Sequence, residues 1–332
     1  MAVLYIKDQG AVVQKRSERI AVTKGSATLL EIPVACIENV AVIGNIQVTT
    51  QALHMLMNNG VEVSHFSFSG KYLGRTGAEF SRNIFLRFAQ YALYNQMDKR
   101  LDVARSIVFN KISNQIAMIR RTRWSGNVHD WKADLKQLER FQKTLVQKQT
   151  VNEIMGVEGI CSNIYFGAFG AMFHCDFSFH GRNRRPPRDP INVLISLGYT
   201  FLTKEVSSAL EAESFEMYLG FLHGIKYGRK SLPLDIVEEF RQPVVDRFVI
   251  SACNKRIMNT SDFEDDGEAI ILNEEGFKKF CREFERWLGG AGGTNFRSRI
   301  KEQAAMLKNT VLKQKPYEPF RLEEKDRVSG EL

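Results

Sequence analysis

Three segments of this 332-residue chain carry side chains that could bind a divalent metal ion. Glu158 enters a predicted helix whose other residues are mostly apolar, and a lone carboxylate in such surroundings is costly to bury unless it is paired or bound to a metal. His223 is closely flanked by glycines, which would let a ligand approach its imidazole. Asp235 precedes Glu238 by three residues and Glu239 by four, so these carboxylates gather on one face of a predicted helix.

Each of these segments also has an ordinary structural explanation. A glutamate such as Glu158 in a first turn is favoured by the helix dipole, a histidine beside apolar residues is commonly a core side chain, and an acidic helix face is commonly solvated. Together the segments supply nitrogen and oxygen ligands, a set that suits Mg²⁺ or Mn²⁺ and lacks the thiolates of structural zinc. They form one site only if three helices converge, which the spacing leaves open.

An arginine-rich loop is the second feature with chemical potential. Prolines stiffen this loop just before a predicted helix, so its guanidinium groups could present partly ordered forked donors to phosphate oxygens. The alternative is a structural loop that ties helix ends and carboxylates together. A weaker basic pair follows later in the chain. The candidate DNA-binding residues are Arg182, Arg184, Arg185, Arg188, Lys255 and Arg256.

The charge of the chain favours a polyanionic partner. Its net charge is +8 and its isoelectric point is about 9.2. Residues 1–80 contribute +1 and residues 81–332 contribute +7, so phosphate contacts are expected in the second part. Nucleic acid is therefore the leading class of partner.

Several other classes of protein are disfavoured by the sequence. The five cysteines are widely spaced and odd in number, which argues against a disulfide framework and a thiolate zinc site and fits a reducing cytoplasm. No segment approaches the about 18 uninterrupted apolar residues of a membrane span. The chain also lacks a P-loop, a GxSxG motif and an HExxH motif, so nucleotide hydrolysis, serine hydrolase chemistry and zincin proteolysis are disfavoured.

The elements that must position these residues change type near residue 78. Short β-branched runs separated by turn residues predict a β-rich first part, interrupted by a short helix that Thr49 or Thr50 caps and Asn59-Gly60 ends. From residue 78 onward apolar residues follow a period of 3.6. The sequence therefore predicts an α+β protein with a small β-sheet domain, residues 1–78, followed by a larger all-α domain, residues 79–332. The predicted strands are 3–6, 11–14, 19–23, 27–32, 40–43, 46–49, 61–68 and 72–74, and the predicted later helices are 130–148, 150–175, 190–212, 214–226, 234–257, 273–288 and 297–312.

The order of several motifs in the helical part resembles a known family. Val157-Glu158-Gly159 is followed by the run from Arg184 to Tyr199, which reads RRPPRDPINVLISLGY and is very specific. The motifs Gly220-Phe221-Leu222-His223, Asp235-Ile236-Val237-Glu238-Glu239-Phe240-Arg241, Val245-Asp246-Arg247 and Tyr317-Glu318-Pro319-Phe320 then follow in order. This arrangement is similar to that of the CRISPR-associated spacer-acquisition integrases, the Cas1 family.

The resemblance implies a fold and a site. It implies that the β-rich domain makes much of a homodimer interface and that the helical domain holds one Mg²⁺ or Mn²⁺ ion. Matched residue by residue, the catalytic metal ligands are Glu158, His223 and Glu238, and Asp235 could help hold the metal or a water. Glu239 is the weaker candidate because it points about 100° away from Glu238 on an ideal helix. The segment 214–217 departs from the family's Gly-Leu-Asp-Pro turn, which leaves the shape of the turn before His223 open.

The resemblance also implies an activity and partners. The expected reaction is attack by the 3′-hydroxyl of a short foreign DNA fragment on a phosphodiester at the edge of a CRISPR repeat, as part of prokaryotic antiviral defence. The expected partners are DNA, a second copy of the chain and the small dimeric protein Cas2. The protein is expected to act in the cytoplasm and not at a membrane. A purely hydrolytic, structure-selective nuclease and a non-catalytic nucleic-acid-binding module remain as alternatives.

Overall fold

A computed structural model describes residues 2–77, 83–122, 129–183, 186–291, 293–313 and 315–322 of the chain. The chain divides into two compact units, residues 1–80 and residues 81–332. The division that the sequence predicts, after residue 78, lies two residues earlier. The first unit is built mainly of strands and the second mainly of helices, which confirms the α+β fold class.

The described residues of the first unit form two four-stranded sheets, one α-helix and a short 3-10 helix, Val34–Cys36. One sheet has the order β1-β5-β7-β8, in which the first two pairings are parallel and the last is antiparallel. The other has the order β4-β3-β2-β6, in which only the β2-β6 pairing is parallel. The elements are β1 (Ala2–Ile6), β2 (Val12–Arg16), β3 (Arg19–Lys24), β4 (Ala27–Pro33), β5 (Ile37–Ile43), β6 (Gln47–Val48), α1 (Thr50–Asn58), β7 (Glu62–Phe66) and β8 (Tyr72–Thr76).

The predictions for this unit are confirmed in detail. Each predicted strand is present, with ends that shift by up to three residues. The Thr49 hydroxyl accepts a hydrogen bond from the Ala52 backbone at 3.3 Å and caps α1. The helix ends before Gly60, whose φ of +70° suits a glycine. Alternating apolar side chains such as Val13, Val40 and Val63 point inward and form the buried core.

Helices dominate the second unit. They are α2 (Ile84–Asn95), α3 (Met97–Arg121), α4 (Trp131–Thr144), α5 (Val151–Phe169), α6 (Pro190–Ala212), α7 (Ser231–Phe240), α8 (Arg247–Asn254), α9 (Glu274–Arg286) and α10 (Phe296–Lys313). A short hairpin of β9 (Phe263–Asp265) and β10 (Ile270–Leu272) departs from the predicted all-α character. In the described part of the chain, no helix is long and apolar enough to cross a membrane.

Glu158 does not lie in the first turn of helix α5, because the helix begins seven residues before it. Thr150 and Glu153 form a reciprocal capping box, with the Thr150 hydroxyl 3.2 Å from the Glu153 amide nitrogen and the Glu153 carboxylate 3.0 Å from the Thr150 amide nitrogen. The helix therefore begins at Val151 and places Glu158 about two turns inside. The explanation of Glu158 as a glutamate of the first turn is wrong.

Two other helix predictions are also wrong. The predicted helix 214–226 is an irregular loop, because backbone N–H groups in this segment donate to a side-chain carboxylate instead of to a helical ladder. The predicted single helix 234–257 begins earlier, at Ser231, since Pro233 lies in the first turn where its missing N–H costs nothing. It is also interrupted by a π-helical segment, residues 241–246, that contains Pro243, which has no N–H to continue the α-helical pattern.

Candidate active site

Helices α3, α5 and α7 bring two of the predicted metal ligands together around a lysine. The Lys111 ammonium on α3 is ion-paired with the Glu158 carboxylate on α5, and its Nζ lies 2.6 Å from Oε2 of Glu238 on α7. Ser162, one turn after Glu158, donates its hydroxyl to Oε1 of the Glu158 carboxylate at 2.9 Å. Carboxylates that are 80 residues apart in sequence thus face one positive charge.

Positive charges keep the Glu238 carboxylate ionised although it is buried. Burial raises the pKa of Glu238, but the charges of Arg241 and Lys111 outweigh this effect and lower the pKa to about 2. The Arg241 guanidinium lies 3.1 Å from the same Glu238 oxygen that faces Lys111. Glu238 is therefore an anionic oxygen donor at neutral pH.

The third predicted ligand, His223, lies on a loop that Asp235 organises. The Asp235 carboxylate accepts hydrogen bonds from the backbone N–H groups of Phe221, Leu222 and His223 at 2.5, 2.9 and 2.8 Å. Oδ1 of Asp235 also lies 2.8 Å from Nδ1 of the His223 ring. Gly220 allows this close approach, because a Cβ at that position would lie 2.8 Å from Oδ2 of Asp235 and 2.9 Å from Ser231 atoms.

Because Asp235 engages Nδ1, the other ring nitrogen of His223, Nε2, is the one left for a ligand. Burial lowers the pKa of His223, but the hydrogen bond to Asp235 and the negative charges of Asp235 and Glu238 outweigh it, so the pKa is raised overall. The charge of Glu238 thus stabilises the protonated form of the His223 ring. Asp235 itself is fully buried, and both of its carboxylate oxygens are engaged in hydrogen bonds with the loop backbone or the His223 ring.

The chemistry of these donors fits a divalent metal ion. Two ionised carboxylates and an imidazole fixed by a carboxylate are hard to borderline donors of the kind that Mg²⁺ and Mn²⁺ accept. Within the described ranges, however, no three His, Cys, Asp or Glu side chains are gathered as a metal-binding group. The ammonium of Lys111 is the cation between the Glu158 and Glu238 carboxylates, which marks a place where positive charge is favourable.

Glu239, the neighbour of Glu238, faces the C-terminal segment instead of the site. Its carboxylate accepts the Tyr317 hydroxyl at 2.5 Å and the Phe320 amide N–H at 2.9 Å. Burial raises the pKa of Glu239 to about 8, against the opposing effect of these two hydrogen bonds. The Tyr317–Phe320 motif of the sequence thus secures the far side of α7.

A buried polar network lies behind the carboxylates. The Arg241 guanidinium carbon is 4.5 Å from the centroid of the Tyr199 ring. The hydroxyls of Tyr199 and Tyr165 donate to Asp246 at 2.6 and 3.0 Å. Burial raises the pKa of Asp246 to about 6, although both tyrosine hydrogen bonds and the nearby arginines oppose this. The network fixes the π-helical segment that carries Arg241 and Asp246.

The arginine-rich loop is used partly for its own fold. The Arg182 guanidinium donates to the Asn192 side chain at 2.7 Å and to the Ser196 hydroxyl at 3.1 Å, both on α6. Arg184 and Arg185 lie outside the described residues. Arg188 is exposed. These contacts give Arg182 a structural role in the loop, and Arg188 lies at the surface.

The basic pair Lys255 and Arg256 is exposed at the end of α8. Arg256 has a φ of +55°, and its amide N–H donates to the Cys253 carbonyl at 2.9 Å. Cations at a helix C-terminus interact favourably with the helix dipole, which gives this pair a structural explanation beside the predicted one.

Lys111, Arg241 and Asp246 have no predicted role in the sequence, although Arg241 and Asp246 lie in the quoted motifs. Lys111 had a signal, because it follows Ile107 by four residues and so lies on the apolar stripe of α3, where an unpaired charge would be costly. Asp246 and Arg241 lie in an otherwise buried segment, and buried charges of this kind require partners. Charged residues within apolar stripes or runs are thus the sequence signal that these three positions share.

The fold and the site define a class: an α+β protein whose helical unit encloses paired carboxylates and a carboxylate-bound histidine. The family model described as CRISPR associated protein Cas1 matches residues 4–286, and this chain belongs to that family. One relative, a CRISPR-associated endonuclease Cas1 of Thermus thermophilus, is 32% identical over 96% of this chain and 97% of its own length.

Solved structures agree with this assignment. A CAS1 protein from Thermotoga maritima superposes with a TM-score of 0.83 at 27% identity, over 97% of this chain and 100% of that one. A chain of a Cas6-RT-Cas1–Cas2 complex has a TM-score of 0.81 at 24% identity, over 97% of this chain and 36% of that one, and shares the fold. The resemblance found in the motifs is thereby confirmed.

Proposed function

We propose that this protein is a metal-dependent DNA endonuclease and integrase that inserts short DNA fragments into a CRISPR array. The observation that carries the proposal is the convergence of Glu158 and Glu238 on one cation. Asp235, one turn before Glu238 on α7, orients the His223 imidazole. Membership of the Cas1 family and a relative named as an endonuclease support it.

In this proposal Glu158, Glu238 and His223 hold one Mg²⁺ or Mn²⁺ ion. A phosphodiester is a poor electrophile because its anionic oxygens repel a nucleophile, and the bound ion would neutralise the charge that builds on the phosphate. Asp235 keeps the His223 ring oriented with Nε2 available, and Arg241 holds the Glu238 carboxylate in place. Exposed Arg188, together with other basic residues, would bind the DNA backbone.

The incoming nucleophile decides between cutting and joining. Attack by water gives hydrolysis, and attack by a DNA 3′-hydroxyl gives transesterification with the same protein groups. In both reactions one P–O bond of the attacked strand breaks as the new one forms, and the leaving oxygen takes up a proton and departs as a hydroxyl of the cut strand. In the proposed assembly the β-rich unit forms a homodimer and a Cas2 protein binds the dimer. A Cas2 component is named in the complex that contains one of the similar structures.

The proposal is tested with a labelled DNA fragment and a supercoiled plasmid that carries a repeat, with and without Cas2, in Mn²⁺, Mg²⁺ or EDTA. We expect metal-dependent joining of the fragment's 3′ end, which is lost in His223→Ala. The matched control is His54→Ala, which removes an exposed histidine of α1 and should retain joining. Cutting without joining would favour the hydrolytic nuclease, and DNA binding with neither reaction would favour the non-catalytic module.

A further inference from the structure

Lys111 is a buried cation that the proposed reaction has not used. Its side chain is only 6% exposed, and it is ion-paired with both Glu158 and Glu238. An ammonium in such a place is unfavourable unless it is fully paired, and here each partner is a proposed metal ligand. The position therefore links the lysine to the metal site directly.

Without Lys111, the Glu158 and Glu238 carboxylates would repel each other, and Arg241 beside Glu238 would offset this repulsion only in part. The Glu238 side chain is 5% exposed and the Glu158 side chain is 25% exposed, so solvent screens the repulsion between them only in part. A divalent ion placed between the same carboxylates would in turn repel the ammonium. The position between the two carboxylates can therefore hold either the Lys111 ammonium or a divalent metal ion, but not both.

The backbone that carries Lys111 is fixed, whereas its side chain is long and flexible. Asn114, on the next turn of α3, donates to the Glu239 carbonyl at 2.9 Å and accepts the Leu322 amide N–H at 3.1 Å. These contacts anchor α3 to α7 and to the C-terminal segment. A change of cation at the site therefore requires rotation of the Lys111 side chain and not movement of the helix.

We infer that Lys111 is a positioning residue that serves as a built-in cation of the metal site. Its ammonium holds the Glu158 and Glu238 carboxylates together before the ion binds and gives up this position to the ion. The inference rests on the proposed function, because it assumes that the same carboxylates bind the metal. It makes Lys111 both an organiser of the metal-free site and a competitor of the metal.

The test measures Mn²⁺ binding by the electron paramagnetic resonance signal of free Mn²⁺, together with thermal unfolding. The variants are Lys111→Met, Glu238→Gln and the control Lys279→Met. Lys279 lies on α9, and its Nζ is 2.5 Å from Oδ1 of Asp262. We expect Lys111→Met to bind Mn²⁺ on the order of tenfold more tightly than the wild type, because a competing cation is gone. Its metal-free form should unfold at a lower temperature, and saturating Mn²⁺ should raise that temperature more than in the wild type.

The outcomes separate this inference from the proposed function. If the wild type binds Mn²⁺ and Glu238→Gln does not, but Lys111→Met binds it equally or more weakly, the inference is overturned and the metal site stands. If no protein, including the wild type, binds Mn²⁺, both are overturned. Should Lys111→Met fail to fold, Lys111→Gln, which keeps a hydrogen-bond donor without the charge, is required to show the same tightening. Lys279→Met should match the wild type throughout.

Discussion

The carboxylate site around Lys111 and the arginine-rich loop at residues 182–188 use their charges in opposite ways. At the site, charges from three helices pair with one another, with buried Lys111 between half-buried Glu158 and buried Glu238. In the loop, the two described arginines have different surroundings: Arg182 donates to side chains of α6, and Arg188 is exposed.

This difference shows that clustering of basic residues in the sequence does not predict where charges are buried and paired in the fold. The loop is conspicuous in the sequence, yet its Arg182 serves the fold. Lys111 is inconspicuous, yet it contacts two proposed ligands at once. Removing charge should therefore have different effects in the two regions. At the carboxylate site it should reduce the reaction, and in the arginine-rich loop it should reduce stability or general DNA affinity.

The largest effect is expected at Glu238, because its loss should reduce activity far more than the loss of any arginine of the loop. Glu238→Gln removes an ionised oxygen donor and should reduce DNA joining and cutting by more than about 100-fold, since even residues that only support a metal ligand cost 10–100-fold. The measurement is the joining assay in Mn²⁺. Glu213→Gln, which breaks a partly exposed pair with Lys308, is the control and should retain activity. Comparable activity in both variants would remove Glu238 from the site.

A smaller effect is expected at Asp235, which orients a ligand. Asp235→Asn keeps the shape but loses the charge that accepts three backbone N–H groups and holds the His223 ring. We expect Mn²⁺ affinity to fall about 10–100-fold. Asp266→Asn is the control, since Asp266 accepts two backbone N–H groups in an exposed turn, and it should bind Mn²⁺ as the wild type does. Unchanged affinity in Asp235→Asn would leave Asp235 a loop residue only.

The buried network behind the site should respond to pH. Because the pKa of Asp246 is raised to about 6, the folded protein keeps this proton at pH values where the unfolded chain has lost it. The group therefore costs stability as the pH rises from about 4 to about 6. We expect the free energy of unfolding of the wild type, relative to Asp246→Asn, to fall by about 2 kcal/mol over that range. Urea unfolding at pH 4, 5, 6 and 7 measures it, and a flat difference would contradict the assignment.

The smallest effects are expected in the arginine-rich loop. Arg188→Gln should reduce DNA affinity a few-fold and lower the slope of log affinity against log salt by about 0.9, the value of one lost phosphate contact. Arg182→Gln should leave that slope unchanged and lower the unfolding temperature, because its guanidinium binds Asn192 and Ser196. Filter binding across a salt series distinguishes the two variants. A lower slope in Arg182→Gln instead would place that arginine on the DNA.

The sequence predicted the β-rich unit well because its signals are local. Turn residues and β-branched runs specify the strands, and Thr49 caps α1 as expected. In the helical unit the specific run from Arg184 to Tyr199 led to the family. Local periodicity failed at residues 214–226, since the backbone there is organised by Asp235, a side chain distant in sequence. The pairing of Lys111 with two glutamates depends in the same way on how three helices pack, which periodicity does not encode.

In the two proposals together, Glu158, His223 and Glu238 form one metal site whose cation position is held by Lys111 until the metal binds. The most direct measurement is the anomalous scattering of Mn²⁺ in crystals of the protein, recorded with and without the ion. We predict one strong peak bounded by these three side chains, with the Lys111 ammonium displaced from between the carboxylates only when the ion is present. Absence of a peak there, with Lys111 still paired to both glutamates in saturating Mn²⁺, would contradict the account.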